Sequence, residues 1–198
     1  MQIQWLGYSA FRFQSDGTTV ISDPVDALSG TKINKQGAAI LIASNSDTDT
    51  ASAVIGTPFT IEAPGEYEVK SVFVHGLAAG RSTIYVITID DVHIAFFGGV
   101  AIKELSEAQL GLLEGSDILI VPVGGGQVTS AKDAVAIINQ IEPRLVIPSY
   151  YKISGSKGLD SVEVFLKEYS APREEMDKLK VSRKDLPQED TRVVILKP

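Results

Sequence analysis

The 198-residue chain has no cysteine, which removes disulfides and thiolate metal sites together. It has only two histidines, His75 and His93, and they lack the spacing of a ligand pair. Lys and Arg number 18 against 25 Asp and Glu, for a formal net charge of −7 with no basic cluster. General affinity for nucleic acid or for an anionic membrane needs clustered cations, so neither partner is expected. Long apolar runs are also missing: stretches such as Ile118 to Val123 are far too short to span a bilayer. No basic start followed by an apolar stretch marks a leader, and the expected location is the cytoplasm.

What is present is ordinary for a globular protein: 44% hydrophobic and 22% charged residues, enough for one substantial core. One domain over 1–198 is the expectation. The first half is dense in short strand-like runs cut by turn residues. Asp16-Gly17 joins Phe11–Gln14 to Thr19–Ser22 as a hairpin, and Asp90-Asp91 joins Thr83–Ile89 to Val92–Phe97. Helices are expected after Ser106, which forms a capping box with Gln109, and after Ser130, ahead of an apolar stripe that Pro143 ends. A third is expected from Asp160, with Glu163 as its capping partner. Ile118–Val121 and Leu145–Pro148 are continuous apolar runs, as in strands buried on both faces. The charged stretch 172–190 reads as a surface helix or excursion before a last strand, Arg192–Leu196.

The most informative stretch is Ala38 to Ala53, AAILIASNSDTDTASA, where an apolar strand runs into a loop of serine, threonine, asparagine and aspartate. Together with IQWLGYSAFRFQSDGTTVISDP, TIEAPGEYEVKSVFVHG, TIYVITIDDVHIAFFGG, DILIVPVGGG and IEPRLVIPSYYK, it resembles the metallo-β-lactamase fold superfamily. The likeness is nearest to the small bacterial branch of metal-dependent hydrolase-like proteins, over roughly Met1 to Lys152. The resemblance implies an α/β (α+β) chain folded as a four-layer αββα sandwich of two mixed sheets flanked by helices. It also implies where catalytic members carry their metal ligands, and each of those places differs. Tyr8 follows Gly7 where a histidine would stand. Ser44, Ser46, Thr48 and Asp49 occupy the His, His, Asp and His positions of the main loop. Gly99 stands in place of the bridging aspartate, and Tyr150 in place of the late histidine.

Zinc is held by thiolate, imidazole and carboxylate, and a hydrolytic site needs about three such ligands plus an open position. Neutral hydroxyls do not offset the ion's desolvation, so no zinc or other cofactor is expected. Asp23, Asp47, Gly124 and Gly125 are candidate cleft neighbours. The aspartates with Ser44 and Ser46 could make an oxygen-rich site for a hard cation, or a solvated loop capping the next short helix. Gly124-Gly125-Gly126 could cradle an anion, or be a structural turn. Two functions follow. One is a metal-free pseudoenzyme that keeps the scaffold to bind a small molecule or a protein, including a further copy of itself. The other is a hydrolase of a phosphoester, ester or lactone working in the same cleft through an altered site, either aspartates holding a divalent metal such as magnesium or manganese or a hydroxyl nucleophile.

Overall fold

Left-handed turn residues cut the first half of the chain into hairpins. A computed structural model describes residues 1–46 and 48–198. In chain order come β1 (Gln2–Gly7), β2 (Ala10–Ser15), β3 (Thr18–Ser22), β4 (Gln36–Gly37), β5 (Ile40–Ile42), a 3₁₀ turn (Ala51–Ala53), β6 (Val54–Ile55) and β7 (Phe59–Ile61). There follow β8 (Gly65–Val69), β9 (Val72–Ala79), β10 (Ser82–Ile89), β11 (Val92–Phe96), α1 (Glu107–Leu113), β12 (Ile118–Pro122), α2 (Ala131–Ile141) and β13 (Leu145–Ser149). The chain closes with α3 (Val162–Glu168), β14 (Arg173–Met176), β15 (Leu179–Lys180) and β16 (Arg192–Leu196).

Asp16 (φ 42°) and Gly17 (φ 79°) turn β2 into β3, and Asp90 (φ 52°) with Asp91 (φ 59°) turn β10 into β11. Two successive left-handed residues match the twist of a two-residue hairpin. The first sheet has the order β15-β1-β2-β3-β5-β7, and the second β14-β16-β13-β12-β11-β10-β9-β8. In the first, β3, β5 and β7 run parallel; in the second, β11, β12, β13 and β16 do. This is the metallo-β-lactamase fold that the sequence resembles.

Alternation along β1 turns Ile3 and Trp5 inward, both fully buried. Trp5 stacks on Phe11 at 6.4 Å between ring centroids, and Phe11 meets Phe96 of the second sheet edge-on at 6.2 Å. These rings fill the space between the sheets, at about 1.5–3 kcal/mol of transfer free energy for each fully buried large side chain. The outer face of the first sheet carries Ile21 and Leu41, packed with Val54 and partly buried Leu6, Ile33 and Ala38. Helix α2 lies against the second sheet through Ala134, Ile137, Ile138 and Ile141.

Two expectations need correction. The third helix starts at Val162 after Ser161, not at Asp160. Asp160 is taken up in loop closure instead: its N–H donates to the Gly124 carbonyl at 2.8 Å, and its own carbonyl accepts from Lys152 N–H at 2.8 Å. Within 172–190 there is no α-helix. β14 pairs with β16 at the edge of the second sheet and β15 with β1 at the edge of the first, so this tail ties the two sheets together. Arg-Glu-Glu-Met offers no helical apolar stripe, and strand pairing satisfies its backbone.

The capping box at Ser106 is formed as expected. At α2, Ser130 Oγ accepts from Asp133 N–H at 3.2 Å. Ser130→Ala is expected to destabilise the protein by about 1 kcal/mol, measured by urea unfolding followed through the fluorescence of buried Trp5.

Candidate functional site

The site is built where parallel strands of the first sheet end, the edge at which open α/β sheets leave room for ligands. Asp23 follows β3 with a left-handed backbone (φ 40°), and its N–H donates to the Ile42 carbonyl at 2.9 Å. Its buried carboxylate is gripped by Ser44, just past β5: Ser44 N–H donates to Oδ1 and Ser44 Oγ–H to Oδ2, both at 2.7 Å. The Ser44 carbonyl accepts from Thr83 N–H at 2.8 Å, and Tyr85 hydroxyl donates to the Ala43 carbonyl at 2.8 Å, so the second sheet braces this floor. Burial pushes the Asp23 carboxyl up to about 6, against the bonds from Ser44 and Ser9, with the nearby Asp26 charge adding to the rise. Gly98 (φ 58°) passes so close that a Cβ there would overlap the Ser44 side chain and lie 2.9 Å from Asp23 Oδ2. Only glycine fits.

Above this floor two tyrosines meet. Tyr8 (φ 50°) follows Gly7 (φ 104°), and its carbonyl accepts from Trp5 Nε1 at 2.9 Å and from Tyr150 N–H at 3.1 Å. Tyr150, also left-handed (φ 52°) and buried, stands edge-on to Tyr8 with ring centroids 5.4 Å apart. Its hydroxyl donates to Asp26 Oδ1, while Asp26 Oδ2 accepts from Ser29 N–H at 2.6 Å and from Ser29 Oγ. Burial raises the Tyr150 pKa, and the bond to Asp26 raises it further, so the phenol stays protonated. Residue 99 must be small here, because a Cβ would come within 3.0 Å of the Tyr150 ring.

Of the positions singled out from sequence, Asp23, Ser44, Thr48, Gly99 and Tyr150 line one cavity of about 190 Å³. Tyr8 lines a second, of about 230 Å³, and Asp23 and Asp26 border both. The tyrosines thus divide the cleft without closing it. Ser46 and Asp49 are exposed, and Asp49 Oδ1 accepts from Ser52 N–H at 3.3 Å, serving the 3₁₀ turn. Gly124 packs against the Tyr150 carbonyl, and Gly125 N–H is spent on the Thr129 carbonyl at 3.1 Å, so this loop is a closed turn. Asp47 lies outside the described residues. Both histidines sit on the second sheet away from these cavities: His93 Nδ1 is 2.9 Å from Thr88 Oγ1, and His75 Nε2 is 3.9 Å from Glu66. Sequence reading missed Asp26 and Ser9. The signal for Asp26 was its place in Asp23-Pro24-Val25-Asp26, a second carboxylate directly past a strand end.

The profile of the β-lactamase superfamily domain matches residues 2–150. The chain belongs to this superfamily. It is similar, at 26% identity and a TM-score of 0.85 over 100% of both chains, to a structure from Thermotoga maritima named as a candidate Zn-dependent hydrolase of the metallo-β-lactamase superfamily. A UPF0173 protein of Pyrococcus abyssi is 25% identical over 87% of this chain and 92% of its own length. A metallo hydrolase from Ignicoccus hospitalis shares the fold at 16% identity, with a TM-score of 0.59 over 76% of this chain and 82% of that one.

These neighbours correct the expectation of no cofactor: they are described as zinc-dependent or metal-dependent, which points to a metal. The positions carried over from the family do not fit zinc in this chain. Tyr8, Ser44, Gly99 and Tyr150 supply no imidazole or carboxylate, and among the described residues no three His, Asp or Glu side chains converge. The polar side chains that do line the cleft are hydroxyls, amides and the carboxyls of Asp23 and Asp26. Among the described residues no helix is long and apolar enough to cross a membrane.

Asp23→Asn isolates the buried charge, since an amide can still accept from Ser44 N–H and donate to Ser44 Oγ. Between about pH 4 and 6 the unfolded chain has released the Asp23 proton while the folded chain keeps it, so this group makes wild-type stability fall as pH rises through that window. The variant lacks that fall. Its stability relative to wild type is expected to improve by on the order of 1–3 kcal/mol from the acid to the neutral end, read by urea unfolding at several pH values; a constant difference would refute the assignment.

Proposed function

We propose that this chain keeps the hydrolase scaffold as a binding protein for a small polar ligand and has lost hydrolytic turnover. The supporting observation is how the family's ligand positions are used. Tyr150 and Ser44 are hydrogen-bonded to Asp26 and Asp23, Tyr8 packs edge-on against Tyr150, and Gly99 makes room for the ring. A hydrolytic centre must activate water, by an ion or by a base in reach of it. Here the histidines lie elsewhere, and the hydroxyls of Ser44 and Tyr150 are engaged with the carboxylates of Asp23 and Asp26. Space for a ligand remains, with the donors and acceptors of Ser9, Asn45, Thr48 and Gln127 around it.

A second reading has one specific observation in its favour. Ser44 Oγ donates to the carboxylate of Asp23, whose pKa of about 6 suits a general base near neutrality. In that reading the protein hydrolyses a phosphoester, ester or lactone through a hydroxyl nucleophile.

Purified protein assayed with p-nitrophenyl phosphate, p-nitrophenyl acetate and a homoserine lactone, with and without added zinc, is expected to release product no faster than buffer. Turnover that disappears in Asp23→Ala would replace the binding reading with the hydrolase one.

A further inference from the structure

The outer face of the first sheet carries a patch of polar side chains over β15, β1 and β2. Alternation sends Ile3, Trp5, Phe11, Phe13 and Leu179 into the core, so Gln2, Gln4, Arg12, Gln14 and Lys180 point the other way. Register sets them in a grid: Lys180 and Gln14 flank Gln2 in one row, and Gln4 stands beside Arg12 in the next. Lys180 is exposed and the other four are partly exposed. At ordinary strand spacing the grid covers roughly 10 Å across the strands and about 7 Å along them. Farther along the same face, Ile21 and Leu41 are covered by Val54 and Ile33.

None of these five side chains makes a hydrogen bond or ion pair among the described residues, and Arg12 Nε is in addition shut off from solvent. A charged group with a buried donor left unmade is costly, which calls for an acceptor from outside the chain. Arginine and lysine side chains only donate. No aspartate or glutamate occupies an outward position on β15, β1 or β2, so two cations stand here without a counter-charge, on a chain whose net charge is −7. The complement of such a surface is a carboxylate, which the guanidinium fork receives through two parallel bonds. The five residues line neither cavity of the cleft, and a flat face without a pocket suits a segment of another protein better than a small molecule. Two cations are too few for the phosphate contacts that hold nucleic acid.

We propose that this face docks an acidic segment of a partner protein, one carboxylate seated in the fork of Arg12 and a second reached by Lys180. The amides of Gln2, Gln4 and Gln14 donate to oxygens between the two. Arg12 and Lys180 lie two strands and one row apart in the grid, about 12 Å, which four residues of extended chain span at about 3.3 Å each. Side chains four apart in an extended segment share a face, so acids at that spacing meet both cations at once.

Three fluorescein-labelled probes of equal length, hexaglutamate, hexaglutamine and a thymidine hexanucleotide, are titrated with the whole chain and followed by fluorescence anisotropy. Hexaglutamate is expected to bind at least about tenfold more tightly than either of the others, and more weakly as salt is raised. Arg12→Gln should cost at least about fivefold in that affinity, and Arg12→Lys, which keeps the charge and loses the fork, an intermediate amount. Lys180→Gln, at an exposed position, should cost about twofold and guards against a folding defect in the Arg12 variants, whereas Lys132→Gln on the exposed side of α2 should change nothing. Equal binding of hexaglutamine, tighter binding of the hexanucleotide, an equal loss in Lys132→Gln, or no binding of hexaglutamate would each overturn the proposal. So would a dimer in sedimentation that Arg12→Gln dissociates, since the occupant would then be a second copy of this chain.

Discussion

A buried carboxylate held by one serine organises this molecule. Asp23 leaves the end of β3 and Ser44 the end of β5, and the two bonds between them join strand ends that would otherwise splay where the cleft begins. Further constraints follow from that contact. Gly98 has to lack a side chain, because the Asp23–Ser44 pair fills the space beside it. Ser44 has to present its carbonyl to Thr83, which locks the second sheet to the same floor. Charge-assisted hydrogen bonds to a carboxylate are among the stronger ones available to a protein, and exclusion of water strengthens them.

Tyr150 is the counterpart on the other wall. A phenol differs from an imidazole in the two respects that matter here: it reaches farther, and near neutrality it donates a proton without itself taking charge. The Tyr150 hydroxyl therefore reaches Asp26, whose loop is closed on itself by Asp26 N–H to the Thr31 carbonyl and Gly30 N–H to the Asp26 carbonyl. Tyr8 backs that ring edge-on, a preferred geometry for aromatic pairs. Hydrogen bonds and ring packing connect the two walls of the cleft. The division into two cavities follows from the reach of Tyr150.

Much of the fold was legible because its signals are local. Asp16-Gly17 and Asp90-Asp91 announce hairpins, Ser106 with Gln109 announces a cap, and the unbroken apolar runs of β12 and β13 announce strands covered on both faces. The tail was less legible, since 173–176 is a strand only because an edge of β16 awaits it, and pairing of that kind leaves little trace in composition. In the site, the replaced positions could be aligned from motif order, but their use could not. Asp49 and Ser46 are near neighbours of Ser44 in sequence, yet Ser44 turns inward and the other two face solvent. Asp26 became visible only when Tyr150, 124 residues later, was seen to reach it.

The persistence of this polar interior bears on function by way of its energetic cost. A scaffold kept for its shape alone would be better served by apolar residues at 23, 26 and 44, because replacing buried polar or ionic groups with well-packed hydrophobic ones is often neutral or stabilising. Instead the chain keeps Asp23 at the expense of a carboxyl pushed up to about 6, and leaves space beside it unfilled. Proteins accept such local instability chiefly where a site has work to do. The cavity beside Asp23 and Asp26 is thus bordered by hydrogen-bonding side chains, among them Ser9, Asn45, Thr48 and Gln127, where apolar packing would have cost less.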